Sequence, residues 1–174
     1  AALLVAATCA AAGESALPMQ LHDTGLFAPG DPARLGPGVQ PFAPQHVLWS
    51  DGTRKRRWIR LPPGTAIDAR DPDAWRFPRG TRLWKEFAYG SRIETRYLAL
   101  GTDGRWRFAS YVWAADGRSA QRAPAEGRVL AVGDAPSGRY AVPSHDDCLT
   151  CHGGARSPVL GVGALQLGPA LPQW

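Results

Sequence analysis

The sequence predicts a mainly β fold, an antiparallel β-sandwich-like domain that ends in a short helical segment. Three observations predict it. First, 20 glycines and 16 prolines among 174 residues punctuate the chain far more often than the roughly 12% of an average protein, which leaves little room for long helices. Second, the stretches between turn signals have strand length and alternate in polarity. Third, one stretch near residue 145 carries helix-capping residues. With 44% hydrophobic and 20% charged residues, the chain has the composition of a folded domain rather than a disordered one. Seven tryptophans, four tyrosines and five phenylalanines suffice for the core of one domain of ordinary size.

Taken in order, residues 1–12 read AALLVAATCAAA, apolar and uncharged with small residues at the end. That is the pattern of an export signal entered part-way through its hydrophobic region, or of a lipoprotein leader with Cys9 as the lipid-bearing residue. Either places the mature chain in the bacterial periplasm or envelope, with membrane contact only through a lipid at Cys9. No run of 18 apolar residues offers a transmembrane helix. Residues 13–46 are proline-dense and lack a regular pattern, so they read as an extended or looped entry segment.

Residues 47–142 form the expected β-rich domain. A strand over 54–61 stops at Pro62-Pro63-Gly64, and strands over 82–89 and 93–100 are joined across Gly90-Ser91 as a hairpin. The turn Thr102-Asp103-Gly104 leads into a strand over 106–113, and weaker strands follow at 129–132 and 140–142. Within 106–113, alternation puts Trp106, Phe108, Ser110 and Val112 on one face and Arg107, Ala109, Tyr111 and Trp113 on the other. Neither set is purely polar, which fits a strand with partial cover on both sides. The tryptophans on these strands read as core. Asp68, Asp71 and Asp73 read as turn residues rather than a cation site.

The net charge of +5 is almost all arginine, Lys55 and Lys85 being the two lysines. Basic and aromatic residues interleave from Arg54 to Arg60, but that is also the composition of a solvated strand, and with an export leader no nucleic-acid partner is expected. Arg54, Arg56, Arg57, Arg105 and Arg107 instead suggest a basic surface that favours acidic redox partners.

Residues 143–174 carry the chemistry. Cys148-Leu149-Thr150-Cys151-His152 is a C-x-x-C-H motif, the attachment signature of haem c. Residues three apart share a helix face, so both thiols reach the two vinyl groups of one porphyrin, and His152 presents an imidazole to the iron as proximal ligand. Ser144 and Asp147 read as the cap that opens this helix, and Gly153-Gly154 as its end. Three other readings compete: a redox disulfide, a coincidental match, and a zinc site of His145, Cys148 and Cys151 with His22 or His46. No distal ligand stands out among Met19, His22, His46 and His145. Catalytic triads, phosphate loops and paired acid/base carboxylates are not evident.

A resemblance extends the motif. Leu48-Trp49-Ser50-Asp51-Gly52, Lys55-Arg56-Arg57-Trp58-Ile59, Leu61-Pro62-Pro63-Gly64, Trp84-Lys85-Glu86-Phe87 and Tyr111-Val112-Trp113, followed by the C-x-x-C-H segment, resemble a family of bacterial exported di-haem c-type cytochromes. The resemblance implies a β-rich region joined to covalent haem and a second haem-attachment site further along. This sequence has one such motif, so the haem segment is expected to be truncated. The expected function is one-electron transfer between envelope redox proteins, without catalysis of its own. The alternatives are a peroxidase-like haem oxidoreductase whose β-domain binds substrate, and a zinc-stabilised β-sandwich binding module.

Overall fold

The structure, a computed structural model, describes residues 17–154 and 156–167. The leader expected over residues 1–12, with Cys9, lies outside the described residues. The chain is mainly β. A six-stranded antiparallel sheet is built as a meander from β3 (Gln40–Pro41), β4 (Arg54–Arg60), β5 (Arg82–Ala88), β6 (Arg92–Leu100), β7 (Trp106–Trp113) and β8 (Ala120–Arg122). Two hairpins flank it, β1 (Phe27–Ala28) with β2 (Asp31–Leu35), and β9 (Arg128–Ala131) with β10 (Arg139–Val142). Two helices close the described chain, α1 (His145–His152) and the four-residue α2 (Ala164–Leu167). No helix of the described residues is long and apolar enough to cross a membrane.

The register of the meander sets what each face presents. On the first face, Trp58, Trp84, Tyr97 and Ala109 are cross-strand neighbours, and the stacked rings of Trp84 and Tyr97 lie 5.5 Å apart. Residues 17–39 cover this face through Leu21, Leu26, Phe27 and Val39. The cover is also bonded on: Trp84 Nε1 donates to Thr24 Oγ1 at 2.8 Å and Tyr111 Oη to the carbonyl of Pro18 at 2.7 Å. The entry segment is thus a structured layer with its own hairpin and a strand, β3, at the sheet edge. Its prolines stand where the backbone turns or lies at an edge, which is why alternation was not visible there.

The second face has three cross-strand rows. Ile59, Leu83, Leu98 and Phe108 form an apolar row, Arg57, Lys85, Arg96 and Ser110 a polar one, and Lys55, Phe87, Glu94 and Val112 a mixed one. Val159, Val162 and Leu167 pack over the apolar end together with Trp75, and Tyr140 and Val142 of the β9–β10 hairpin pack over Phe87 and Ile93 at the other. The layers opposing the sheet are therefore short hairpins and irregular segments. The strand over 54–60, read from sequence as solvated, is interior to the sheet: Trp58, Ile59 and Arg57 are all buried. Trp58, Trp75, Trp84 and Trp113 are core residues, whereas Trp49 is 80% exposed on the loop before β4. Asp68 and Asp71 do serve turns, each accepting the backbone N–H two residues on.

Candidate functional site

The C-x-x-C-H segment is α1. Ser144 stands at its N-cap and forms a capping box: its hydroxyl accepts from Asp147 N at 3.1 Å, and the Asp147 carboxylate accepts from Ser144 N at 2.9 Å. Hydrogen bonds to that carboxylate, first from the Ser144 hydroxyl at 2.8 Å and then from the Ser144 backbone N–H, hold the Asp147 carboxyl below its ordinary range. The helix stops at Gly153, whose N–H bonds the carbonyl of Leu149 at 2.7 Å. A Cβ there would lie 2.7 Å from that same oxygen, so the close turn suits glycine. Upstream, Gly127 has φ of +75° and leaves no space for a Cβ against Val142 O, Ser144 N and Pro143 C. The 124–127 turn therefore presses directly on the residues that aim α1.

Cys148, Cys151 and His152 share one side of this two-turn helix by their i, i+3, i+4 spacing. Cys148 is half-buried and Cys151 exposed, both as free thiols. α1 packs against β7 on the second face, where the His152 ring meets Phe108 with centroids 5.1 Å apart. His152 Nδ1 lies 2.5 Å from the carbonyl oxygen of Pro158. Since a carbonyl only accepts, Nδ1 is the donor, which in the neutral ring makes Nε2 the nitrogen with the free lone pair. That second contact fixes both tautomer and ring orientation, as the outer partners of metal-bound histidines do.

Burial pushes the Cys148 thiol above its ordinary value, with Glu94, Asp147 and Cys151 adding to the shift against the opposing Arg96. A redox C-x-x-C site lowers the pKa of its attacking thiol, so this environment runs against the disulfide reading. The zinc quartet is not assembled either: among the described residues no group of three or more His, Cys, Asp or Glu is placed to hold a metal ion. His22 is paired with Asp23 at 2.8 Å, and the backbone N–H of His46 bonds the side chain of Gln166 at 3.2 Å.

Cys148 and His145 line a cavity of about 790 Å³ whose walls include Trp106, Phe108, Pro143 and, from the entry segment, Met19. Its size is in the range of small-molecule sites. Of the four residues weighed as distal ligands, Met19 and His145 thus line the same cavity as Cys148, while His22 and His46 do not.

Sequence reading missed the polar row on the second face. Glu94, fully buried, accepts from Arg96 at 2.9 Å, Ser110 at 2.6 Å and Tyr140 at 2.5 Å. Lys85 and Arg57 lie in the adjoining row on β5 and β4, with no ion pair to a carboxylate among the described residues. Of the arginines read as a basic surface, Arg57 is buried here, Arg56 is paired with Glu86 and Arg107 with Asp103. The signal that could have found the row is the i, i+2 repeat of charge in Lys55-Arg56-Arg57 and Glu94-Thr95-Arg96. In comparisons with protein-family models, curated proteins and solved structures, nothing matches this chain.

Proposed function

We propose that this chain is an exported c-type cytochrome that holds one covalent haem in the described segment and passes single electrons to redox proteins of the bacterial envelope, in keeping with its resemblance to di-haem c-type cytochromes. The observation that carries the reading is the arrangement of α1: two thiols and an imidazole on one helix side, with His152 Nδ1 bonded to Pro158 and Nε2 left for iron. Cys148 and Cys151 would hold a haem through thioether bonds and His152 would be a ligand of its iron, while the capping box at Ser144 and Asp147 holds the helix that carries all three. When bound, haem supplies one-electron exchange at its iron, and the protein tunes its potential through ligand, hydrogen bond and burial.

The test is production with covalent-haem maturation machinery. Wild-type protein retains haem on a denaturing gel, the Cys148→Ser/Cys151→Ser double variant does not, and His152→Ala keeps thioether haem with an altered axial spectrum. A wild-type product that carries zinc and no haem overturns the reading. The cavity beside Cys148 supports a second one, a haem oxidoreductase acting on a small substrate, and rapid peroxide consumption by the haem-loaded chain would decide for it.

A further inference from the structure

At the end of the first face beyond Trp84, the sheet holds a cavity of about 580 Å³, a size that suits a small molecule. Its lining includes Arg54 and Arg56 of β4, Glu86 of β5, Arg92 of β6, and Asp116. Register brings them together. Arg56 and Glu86 are cross-strand partners, two residues along from Trp58 and Trp84 on the same face. The irregularity between Phe87 and Ala88 sets Arg92 opposite Ala88, and its guanidinium lies over the rings of Trp113 at 4.6 Å and Phe27 at 5.8 Å. Arg54 is held by donating from Nε and Nη2 to the carbonyl of Tyr89 at 3.2 and 2.9 Å. With Lys55, whose ammonium donates to the carbonyl of Leu48, the lining sets four cations against the carboxylates of Glu86 and Asp116.

Glu86 is the member of this lining whose hydrogen bonding is incomplete. It is only 2% exposed. Its Oε1 accepts from Arg56 Nε and Nη2 at 2.8 and 2.6 Å, but its Oε2 is buried without a hydrogen-bond partner among the described residues. Arg92 Nε stands 3.5 Å from that oxygen, beyond hydrogen-bond range, and its guanidinium is engaged by the Trp113 ring instead. A buried carboxylate oxygen left without a donor is costly. We propose that this cavity binds a small organic acid with an O–H or N–H donor beside its carboxylate, that is, an α-hydroxy or α-amino acid, whose donor meets Glu86 Oε2 and whose carboxylate is held by Arg54, Arg56 and Arg92. The planar forks of arginine suit a carboxylate, and the bonds to Tyr89 and Glu86 leave Nη1 of Arg54 and of Arg56 unused. The excess of positive charge in the lining favours a second carboxylate on the ligand. The proposal is independent of the haem reading, since α1 packs against the opposite face of the sheet.

The test is calorimetric titration of L-malate, L-aspartate and succinate into the full chain. Malate and aspartate share the carbon skeleton of succinate and add the donor, as a hydroxyl in one and an ammonium in the other. At least one of them should bind about tenfold or more tightly than succinate, because a buried acceptor left unpaired penalises the ligand that lacks the donor. The stronger of the two identifies the donor as hydroxyl or ammonium. Arg92→Gln should weaken that ligand about tenfold or more, whereas Arg139→Gln, at an exposed arginine of β10 outside this lining, should leave its affinity unchanged. Glu86→Gln should reduce the preference over succinate. If that variant does not fold, the preference in wild type still decides, since it needs no substitution. Equal affinity for all three acids overturns the role of Glu86 Oε2. Equal losses in Arg92→Gln and Arg139→Gln reveal attraction by net charge alone and overturn the site, as does the absence of binding by every acid.

Discussion

The hydroxyl of Tyr140 on β10 donates to the buried carboxylate of Glu94 on β6 at 2.5 Å, and this contact pins the β9–β10 hairpin to the second face of the sheet. Burial, and next the charge of Glu94, push the Tyr140 phenol well above its ordinary pKa, so it remains a donor throughout the accessible pH range. Tyr140→Phe keeps the ring against Phe87 but removes one of the three donors that compensate a buried charge. A hydrogen bond to a charged group contributes about 1.5–3 kcal/mol, and a loss of that size is expected in urea unfolding. A variant as stable as wild type would show that Glu94 does not depend on this donor.

Gly127 controls how the chain enters α1. Its φ of +75° and its contact with Val142 O and Ser144 N make alanine unfavourable twice, through backbone conformation and through space. Gly127→Ala is expected to cost about 1–3 kcal/mol. Because the displaced atoms belong to the residues leading into the cap, haem attachment should fall more than it does for Gly117→Ala, where φ is also positive but the surrounding space is open. The comparison of covalent haem per folded protein in the two variants is the measurement.

The four long strands of the meander, β4 to β7, were legible because each has an alternating pattern and ends at a glycine or proline turn, and the 106–113 strand has its expected bounds and faces, whereas the three-residue β8 is too short to show a period. α1 was legible for a different reason, since capping is a local chemistry of side chain on backbone. The β1–β2 hairpin and β3 were not, because their short strands carry prolines and pair through a bulge between Phe27 and Ala28, so no period is long enough to read. Arg57 was misjudged as surface for want of register: only the pairing of β4 with β5 sets it beside Lys85 on the second face of the sheet. The Nδ1 contact of His152 with Pro158 was beyond reach, because nothing in the spacing says that the chain after Gly154 turns back on the imidazole.

The capping box gives α1 a pH dependence whose sign is fixed. Hydrogen bonds from Ser144, side chain first and backbone next, hold the Asp147 carboxyl below the ordinary aspartate value. The group's folded pKa is depressed, so its contribution is complete above the unfolded value and is lost as pH falls through the lowered folded one. Amide exchange in the first turn of α1 should therefore speed up, beyond its intrinsic pH dependence, as the solution is acidified below the usual aspartate range. Asp147→Asn should show no such acid-dependent step, and a step of equal size in that variant would assign the acid sensitivity to another group.

Lys85 gives the opposite limb of the pH profile. Its folded pKa of about 8 lies below the ordinary 10.5 of an unfolded lysine, the displacement coming first from burial and then from Arg57 and Arg96. Between those two values the unfolded chain holds a proton that the folded chain has released, so stability rises with pH across this window. Below pH 8 both states are protonated and the crowding of the row is felt in full. The chain produced without haem maturation is therefore expected to gain resistance to urea from pH 8 to 10 relative to Lys85→Met, because the methionine carries no proton to release. Urea midpoints for both proteins at half-unit intervals of pH provide the measurement. A difference that stays flat across this window would show that burial and the neighbouring cations do not displace the titration of Lys85 in the folded chain.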